Sequence, residues 1–305
     1  MIVVTGGLGF IGKNLVNELK KQGYVDVINL DTKNESLDSI YNWLLANALE
    51  IECIYHLGAI TDTMEMDRNK FDEYNVNATM FIWNLCFGFN IPLVYASSAA
   101  TYGDGEEGFD DEKSIKNLQP LNPYGWSKQQ FDVWAEVQEY QPKHWYGLKF
   151  FNVYGFGEAH KSKMASVALQ LYNQIKFCSS PPKINLFKSH NPNYKDGEQA
   201  RDFIYVDDVV DVCIWLYKNK PLSGIYNVGT GKARSFNDLA KAVFKSLEKE
   251  VKIQYIDIPN QIKNNYQYFT EAKIDKLKRI GYNTPFHELE DGILKYINKL
   301  KYENC

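Results

Sequence analysis

Apolar residues in this chain fall into short unbroken runs separated by stretches where they recur every three or four positions. That pattern predicts buried strands alternating with amphipathic helices. The first run, Ile2-Val3-Val4, leads at once into Thr5-Gly6-Gly7-Leu8-Gly9-Phe10-Ile11-Gly12, and Asn14 to Gln22 has helical spacing. The second run, Val25 to Asp31, ends on a carboxylate, and the third, Ile51 to Ala59, ends in Leu57-Gly58-Ala59. Between them Leu37, Ile40, Tyr41, Leu44 and Leu45 predict one helix and no strand. Asn75 to Thr79 opens another helix with Phe81, Ile82 and Leu85 on its apolar face. Pro92 to Gly103 reads as a strand ending in hydroxyl side chains, Tyr124 to Lys128 as a helix start, and Trp145 to Asn152 as a further strand. Past that point the alternation breaks down through Pro181-Pro182 and a polar loop at 190–198, with Ile204-Tyr205-Val206 and Gly224 to Val228 returning toward the sheet. The fold class expected is α/β, a doubly wound parallel sheet followed by a smaller C-terminal lobe.

Composition narrows the partners. A chain of 305 residues with 45% hydrophobic and 24% charged residues can bury a large core, and a net charge of -4 gives no basic field to attract nucleic acid or an anionic membrane. No apolar run approaches the ~18 residues needed to span a bilayer. Met1 to Thr5 runs into glycines with no basic segment ahead of an apolar stretch, so a cytoplasmic location is expected. The five cysteines are scattered without short paired spacings, which suggests neither a disulfide framework nor a metal site.

The candidate chemistry begins at the glycine segment. Strand, glycine turn and helix are the context in which backbone approaches a pyrophosphate at a helix N-terminus, the Rossmann-type arrangement. Gly6, Gly9, Phe10, Ile11 and Gly12 are therefore expected to bind the cofactor. Asp31, 19 residues past Gly12, stands where a carboxylate would take the adenosine ribose, although an acidic strand end in a turn is the plain alternative. Lys13 and Lys33 are nearby cations that could accept a 2'-phosphate, so NADP or NAD stays open. Tyr124 and Lys128 lie four apart on one helix face, where an ammonium beside a phenol, together with a positively charged nicotinamide ring close by, favours the phenolate and would bring the tyrosine well below ~10. Ser98 or Thr101, at a strand end, would hydrogen-bond a reacting hydroxyl while Tyr124 takes its proton. His56 reads as a packed strand-end residue rather than a catalyst.

Thr5-Gly6-Gly7-x-Gly9-Phe10-Ile11-Gly12, Asn75-Val76, Ser97-Ser98 and Tyr124-x-x-x-Lys128 together resemble the extended short-chain dehydrogenase/reductase family. The resemblance implies a tightly held nicotinamide dinucleotide, a nucleotide-sugar substrate, and a homo-oligomer. It implies Thr32, Leu57, Gly58, Ala59, Asn75 and Val153 as further cofactor residues, with Lys128 on the nicotinamide ribose. It also divides the chain into a dinucleotide domain, residues 1–152, joined by later segments near 201–230, and a mainly substrate-binding lobe, 153–305. Asn152 would then bind sugar or pyrophosphate. Arg201, in Arg201-Asp202-Phe203-Ile204-Tyr205-Val206-Asp207-Asp208, would contact the nucleotide diphosphate, unless it merely pairs with Asp202.

Within that family, Gly157 to Val167, Tyr95 to Gly103 and Tyr266-Gln267-Tyr268-Phe269-Thr270 closely resemble the ADP-glyceromanno-heptose 6-epimerase family. This implies an ADP-heptose or related nucleotide-sugar, bound NADP, a second base at Lys161 beside His160, and Tyr266 at the substrate. The region after Asp31 is shorter than usual, Lys163 and Gln170 stand where that family has a small residue and a histidine, and the loop from Phe187 to Arg201 is longer. These departures fall on the expected substrate side. A UDP-hexose 4-epimerase or an NADPH-consuming reductase remains an alternative; a 4,6-dehydratase would need an acidic residue near Thr101, and a non-catalytic dinucleotide-binding protein would not need the Ser98, Tyr124, Lys128 set.

Overall fold

The computed structural model describes residues 1–177, 183–250, 252–259, 263 and 266–302, without the side chain of Lys163; Pro181-Pro182 lie outside the described residues. The chain divides into two compact units. The first comprises Met1–Phe150, Val209–Val228 and Lys273–Asn283, and the second Phe151–Asp208, Gly229–Ala272 and Thr284–Cys305.

The first unit is built on one parallel sheet. With strands numbered along the chain, β1 (Ile2–Thr5), β2 (Val27–Leu30), β3 (Cys53–His56), β4 (Leu93–Ser98), β5 (Trp145–Phe150) and β9 (Gly224–Val228) lie in the order β2-β1-β3-β4-β5-β9. Val3, Val4, Ile54, Leu93, Val94 and Leu148 are buried in these strands, as expected where helices cover both faces. Strand order reverses beside β1, which pairs with β2 on one side and β3 on the other, and such a switch point opens a crevice at the carboxyl ends of the strands.

The helices follow their local signals. Helix α1 (Phe10–Lys21) starts straight out of the glycine turn, four residues before the apolar spacing announced it. Helix α2 (Leu37–Asn47) starts at Ser36, whose side chain accepts from Ser39 N at 3.2 Å, and occupies the interval after Asp31 where no strand was expected; only a short 3-10 turn follows it before β3. The helix at Asn75 is preceded by a single turn, α3 (Arg68–Phe71), and a π turn at Asp72–Asn77, before α4 (Ala78–Phe89) ends at Asn90 in the left-handed conformation. Helix α5 (Pro123–Glu136) has Pro123 in its first turn and Asn122 as cap, its Oδ1 accepting Gly125 N at 2.8 Å. Cys53, Cys86 and Cys213 are buried free thiols, while Cys178 and Cys305 lie outside the described residues. Among the described residues no helix is long and apolar enough to cross a membrane, and no His, Cys, Asp and Glu cluster could hold a metal ion.

In the second unit the strand read as Trp145 to Asn152 breaks at Phe151, so that Asn152 begins a separate strand, β6 (Asn152–Tyr154). Ile204-Tyr205 does not return to the large sheet. It lies in β8 (Ala200–Tyr205), which pairs parallel with β6 and antiparallel with β10 (Ala233–Ser235), and Val206 begins helix α7 (Val206–Asn219). The apolar run alone could not tell one buried sheet from another. Strands β7 (Ile184–Phe187) and β11 (Ile253–Ile256) form a parallel pair, and α6 (Val167–Lys176), α8 (Phe236–Ser246) and α10 (Leu289–Tyr302) complete the unit; α9 (Asp275–Arg279) belongs to the first.

The second unit is tied together by Asp202, which is fully buried. One carboxylate oxygen accepts Thr230 N and Thr230 Oγ1, both at 2.7 Å, and the other accepts Gly231 N at 2.9 Å and Ala272 N at 3.0 Å. Asp202→Ala leaves these donors without their acceptor, and a loss of about 3 kcal/mol in urea unfolding is expected. An unchanged unfolding midpoint would show that the loop finds other acceptors.

Candidate active site

In the first unit the glycine turn carries the chain from β1 to α1. Gly6 has φ +69°, and a Cβ there would lie 2.5 Å from both Cα and N of Gly58, so the turn and the end of β3 touch backbone to backbone. Gly9 N donates to Gly6 O at 2.9 Å, α1 has no side-chain cap, and its first turn has no carboxylate. Its positive end is thus left for an anionic ligand. Phe10 and Gly12 are buried and Ile11 half-buried. Asp31 is buried, one oxygen accepting Leu8 N and the other Lys33 N, each at 3.0 Å, which fastens the glycine segment to the end of β2. Thr32, Lys33 and Lys13 are exposed, and Leu57, Gly58 and Ala59 are half-buried. The cradle at Gly6 and the uncapped helix end fit a nicotinamide dinucleotide.

The reacting groups expected from the sequence come together at the ends of β4 and α5. Ser98 closes β4, its Oγ accepting Ala100 N at 3.1 Å, and its side chain hydrogen-bonds the Tyr124 phenol. Lys128, one turn on from Tyr124, is 4% exposed; burial lowers its pKa to about 8, against the raising effect of Asp132. The expectation for Tyr124 rests on the lysine and a nicotinamide cation together, and of these only the lysine belongs to the polypeptide. Burial pushes its pKa up, the Ser98 bond opposes this, and Asp132 adds to the rise. The polypeptide's own groups therefore hold the phenol above its ordinary range, because desolvation of Tyr124 itself outweighs the Ser98 bond.

His56 does more than fill space. Thr79 Oγ1 gives its proton to Asn75 O (2.5 Å), so it can only accept from His56 Nε2 (3.0 Å); His56 Nδ1 then accepts from Thr5 Oγ1 (2.6 Å). Burial, aided by the charge of Lys128, lowers the His56 pKa to about 3, which keeps the imidazole neutral as this chain of bonds requires. Asn75 continues it. Its Oδ1 accepts Ile60 N at 2.8 Å, its Nδ2 donates to Ser127 Oγ at 2.9 Å, and Ser127 Oγ donates to Tyr124 O at 2.7 Å. A continuous chain of hydrogen bonds thus links the start of the glycine turn to the backbone of the tyrosine. The sequence offered only a strand-end histidine and an asparagine.

In the second unit the loop after β6 is closed by Glu158, a buried residue that sequence reasoning passed over. Its carboxylate accepts Gly155 N at 3.3 Å, Ser166 Oγ at 2.6 Å and Ser166 N at 2.5 Å, while its backbone O accepts Lys161 N at 2.9 Å. The span between forms a 3-10 turn, Ala159–Met164, broken at Ser162 (φ 51°, ψ -117°). Lys161 is half-buried, and burial lowers its pKa while Glu158 opposes the shift. His160 is exposed, its Nδ1 donating to Gly157 O at 3.1 Å. Gln170 Nε2 donates to Ala165 O at 2.9 Å, and Val153 pairs with Ile204.

Arg201, Tyr266 and Phe187 form a second cluster. The Arg201 guanidinium lies 5.5 Å from the Tyr266 ring centroid and 5.7 Å from that of Phe236, and Tyr266 meets Phe187 edge-on at 6.3 Å. Arg201 donates to Ala200 O and Gln267 O but makes no ion pair among the described residues, because the Asp202 carboxylate is spent on Thr230, Gly231 and Ala272. Burial lowers its pKa. The structural pairing Arg201–Asp202 is thus absent, and among the described residues the buried cation meets carbonyls and rings. Asn152 Nδ2 donates to Thr270 Oγ1 at 3.2 Å.

A phenol held by a strand-end serine, a buried ammonium one turn on, and a dinucleotide cradle at the switch point of the same sheet define a nicotinamide-dependent enzyme of the short-chain dehydrogenase type. Residues 2–229 match the NAD dependent epimerase/dehydratase family, and the chain belongs to that family. Two relatives carry the name ADP-L-glycero-D-manno-heptose-6-epimerase. That of Fusobacterium nucleatum is 44% identical with 97% of each chain covered, and that of Nitratidesulfovibrio vulgaris is 42% identical with 98% of this chain and 97% of the relative covered. The crystal structure of the Helicobacter pylori ADP-L-glycero-D-manno-heptose-6-epimerase superimposes with a TM-score of 0.80 at 28% identity, over 98% of this chain and 96% of that one.

Proposed function

We propose that this protein epimerises ADP-D-glycero-D-manno-heptose at C6 to the L-glycero form, by oxidation to a 6-keto sugar and reduction from the opposite face. The observation that carries the reading is similarity along nearly the whole chain to proteins named for that reaction. Bound NADP would take up the C6 hydride and give it back, with NAD as the alternative cofactor. Tyr124 serves as one acid/base, held by Ser98, and Lys128 carries the charge beside it. Lys161 serves as the second, since a hydrogen that leaves one face and returns to the other calls for proton transfer on both. Its desolvation favours the neutral amine that a base needs. Arg201, a buried cation with no ion pair among the described residues, suits the nucleotide diphosphate, with Tyr266 and Phe187 beside it. Exposed Lys13 and Lys33 suit a 2'-phosphate.

The test is proton NMR of the sugar nucleotide incubated with the purified protein. Appearance of the L-glycero epimer without net consumption of NADPH is expected, and no conversion with either NADP or NAD supplied would overturn the reading. Lys161→Met is expected to slow turnover by about 10²-fold with the cofactor retained. Wild-type turnover in that variant would remove Lys161 from the chemistry.

A further inference from the structure

Beneath the Ser98–Tyr124–Lys128 cluster lies an ion pair that the reaction as described does not use. Asp132 and Lys149 are both fully buried, and Lys149 Nζ lies 2.7 Å from Asp132 Oδ2. Asp132 follows Lys128 by four residues and Tyr124 by eight, so the three share one face of α5. The sheet beneath supplies its partners in register: Tyr95 and Ser97 of β4 stand beside Gly147 and Lys149 of β5. The Tyr95 hydroxyl donates to Asp132 Oδ1 at 3.1 Å and the Ser97 hydroxyl to Oδ2 at 2.6 Å. A Cβ on residue 147 would fall 2.3 Å from the Tyr95 hydroxyl, so glycine is what lets that hydroxyl pass. Lys149 also donates to Thr101 Oγ1 at 2.7 Å, and Thr101 donates to Ser98 O at 2.8 Å. One ion pair therefore joins the helix that bears Tyr124 and Lys128 to the strand end that bears Ser98.

Burying two charges is costly, and a well-packed apolar pair of similar volume is often as stable, so stability alone does not account for the arrangement. We propose that Asp132 is a positioning residue for the reaction: held buried and charged by Lys149, it keeps the proton on the Lys128 ammonium and fixes α5 against Ser98. This rests on Tyr124 and Lys128 being the acid/base pair. Among the described residues, the charged or titratable groups that act on Lys128 or on which it acts are Asp132 of α5 and His56 of β3, which is neutral; Tyr124 lies one turn before it on the same helix face, and Lys149 of β5 pairs with Asp132. Desolvation drives Lys128 toward neutrality, and Asp132 is the group that opposes it. A neutral Lys128 would no longer supply the charge that stabilises a phenolate.

Asp132→Asn combined with Lys149→Met removes both partners of the ion pair, so neither is left behind as a lone buried charge, and this double variant is expected to fold. Lysine labelled with ¹³C at Cε, with the Lys128 signal assigned by its loss in Lys128→Met, reads the titration directly and needs no substrate. At the separation of helix neighbours four apart, losing a unit charge in a partly polar interior corresponds to about one pH unit. Because the double variant loses the positive charge of Lys149 together with the carboxylate, part of that shift is offset, and the midpoint is expected to fall from about 8 in the parent by less than about one unit. The alkaline limb of turnover should follow it downward, and Asp132→Glu, which keeps the charge, should restore the midpoint. A Lys128 midpoint that stays in place or rises in the double variant overturns the proposal. A parent protein that leaves ADP-heptose unconverted would sink the substrate reading instead, and the titration would still decide this one.

Discussion

Tyr124→Phe is expected to lower turnover of the sugar nucleotide by about 10³-fold while the dinucleotide stays bound, because the phenol oxygen is the only part of the side chain that exchanges a proton. The ring remains to pack, Asn122 still caps the helix, and Ser127 still bonds the backbone O of residue 124, so α5 should keep its place. The loss should therefore appear in kcat, with cofactor content and thermal stability close to the parent's. Sugar NMR at saturating substrate measures the first, and cofactor released on denaturation measures the second. A variant with one-tenth or more of parental kcat would mean that another group handles the proton.

Gly6→Ala is expected to abolish dinucleotide retention. At φ +69° an L side chain is strained, and its Cβ would meet the backbone of Gly58, which has no flexible end to yield. Either β3 moves away from β1 at its carboxyl end or the turn opens, and both displace the N–H groups that would face a pyrophosphate. Cofactor affinity should fall by at least about 10²-fold, with a stability loss on the order of 2 kcal/mol. Equilibrium binding of NADP and NAD to protein stripped of cofactor is the measurement. Parental affinity in the variant would show that the contact between Gly6 and Gly58 is not part of the binding surface.

The sequence made the first unit largely legible because its signals are local. A glycine turn after three β-branched residues, a helix start at Tyr124 to Lys128, and helical spacing without a strand after Asp31 each depend on a few adjacent residues, and each appears in the structure. What depends on distant partners was not legible. Nothing near Lys149 says that Asp132 neutralises it across a helix–sheet contact, and nothing near His56 says that Thr5 and Thr79 fix its tautomer. Likewise the sequence shows that a lysine stands four residues from Tyr124, but not that both groups are desolvated. In the second unit, Ile204-Tyr205 was assigned to the wrong sheet because an apolar run carries no address.

The path of the chain also bears on how the protein is made. Strands β1 to β5 are complete by Phe150, but the strand that covers β5, Gly224–Val228, is not synthesised until much later, and Lys273–Asn283 of the same unit later still. A nascent chain leaving the ribosome therefore carries a five-stranded parallel sheet with β5 open along one edge while residues 151–223 emerge. Open edges recruit other strands, and a half-made parallel sheet is an aggregation hazard. Slow elongation through 151–223 should thus reduce the yield of folded protein, whereas a pause after Asn283, when that edge has been covered, should not.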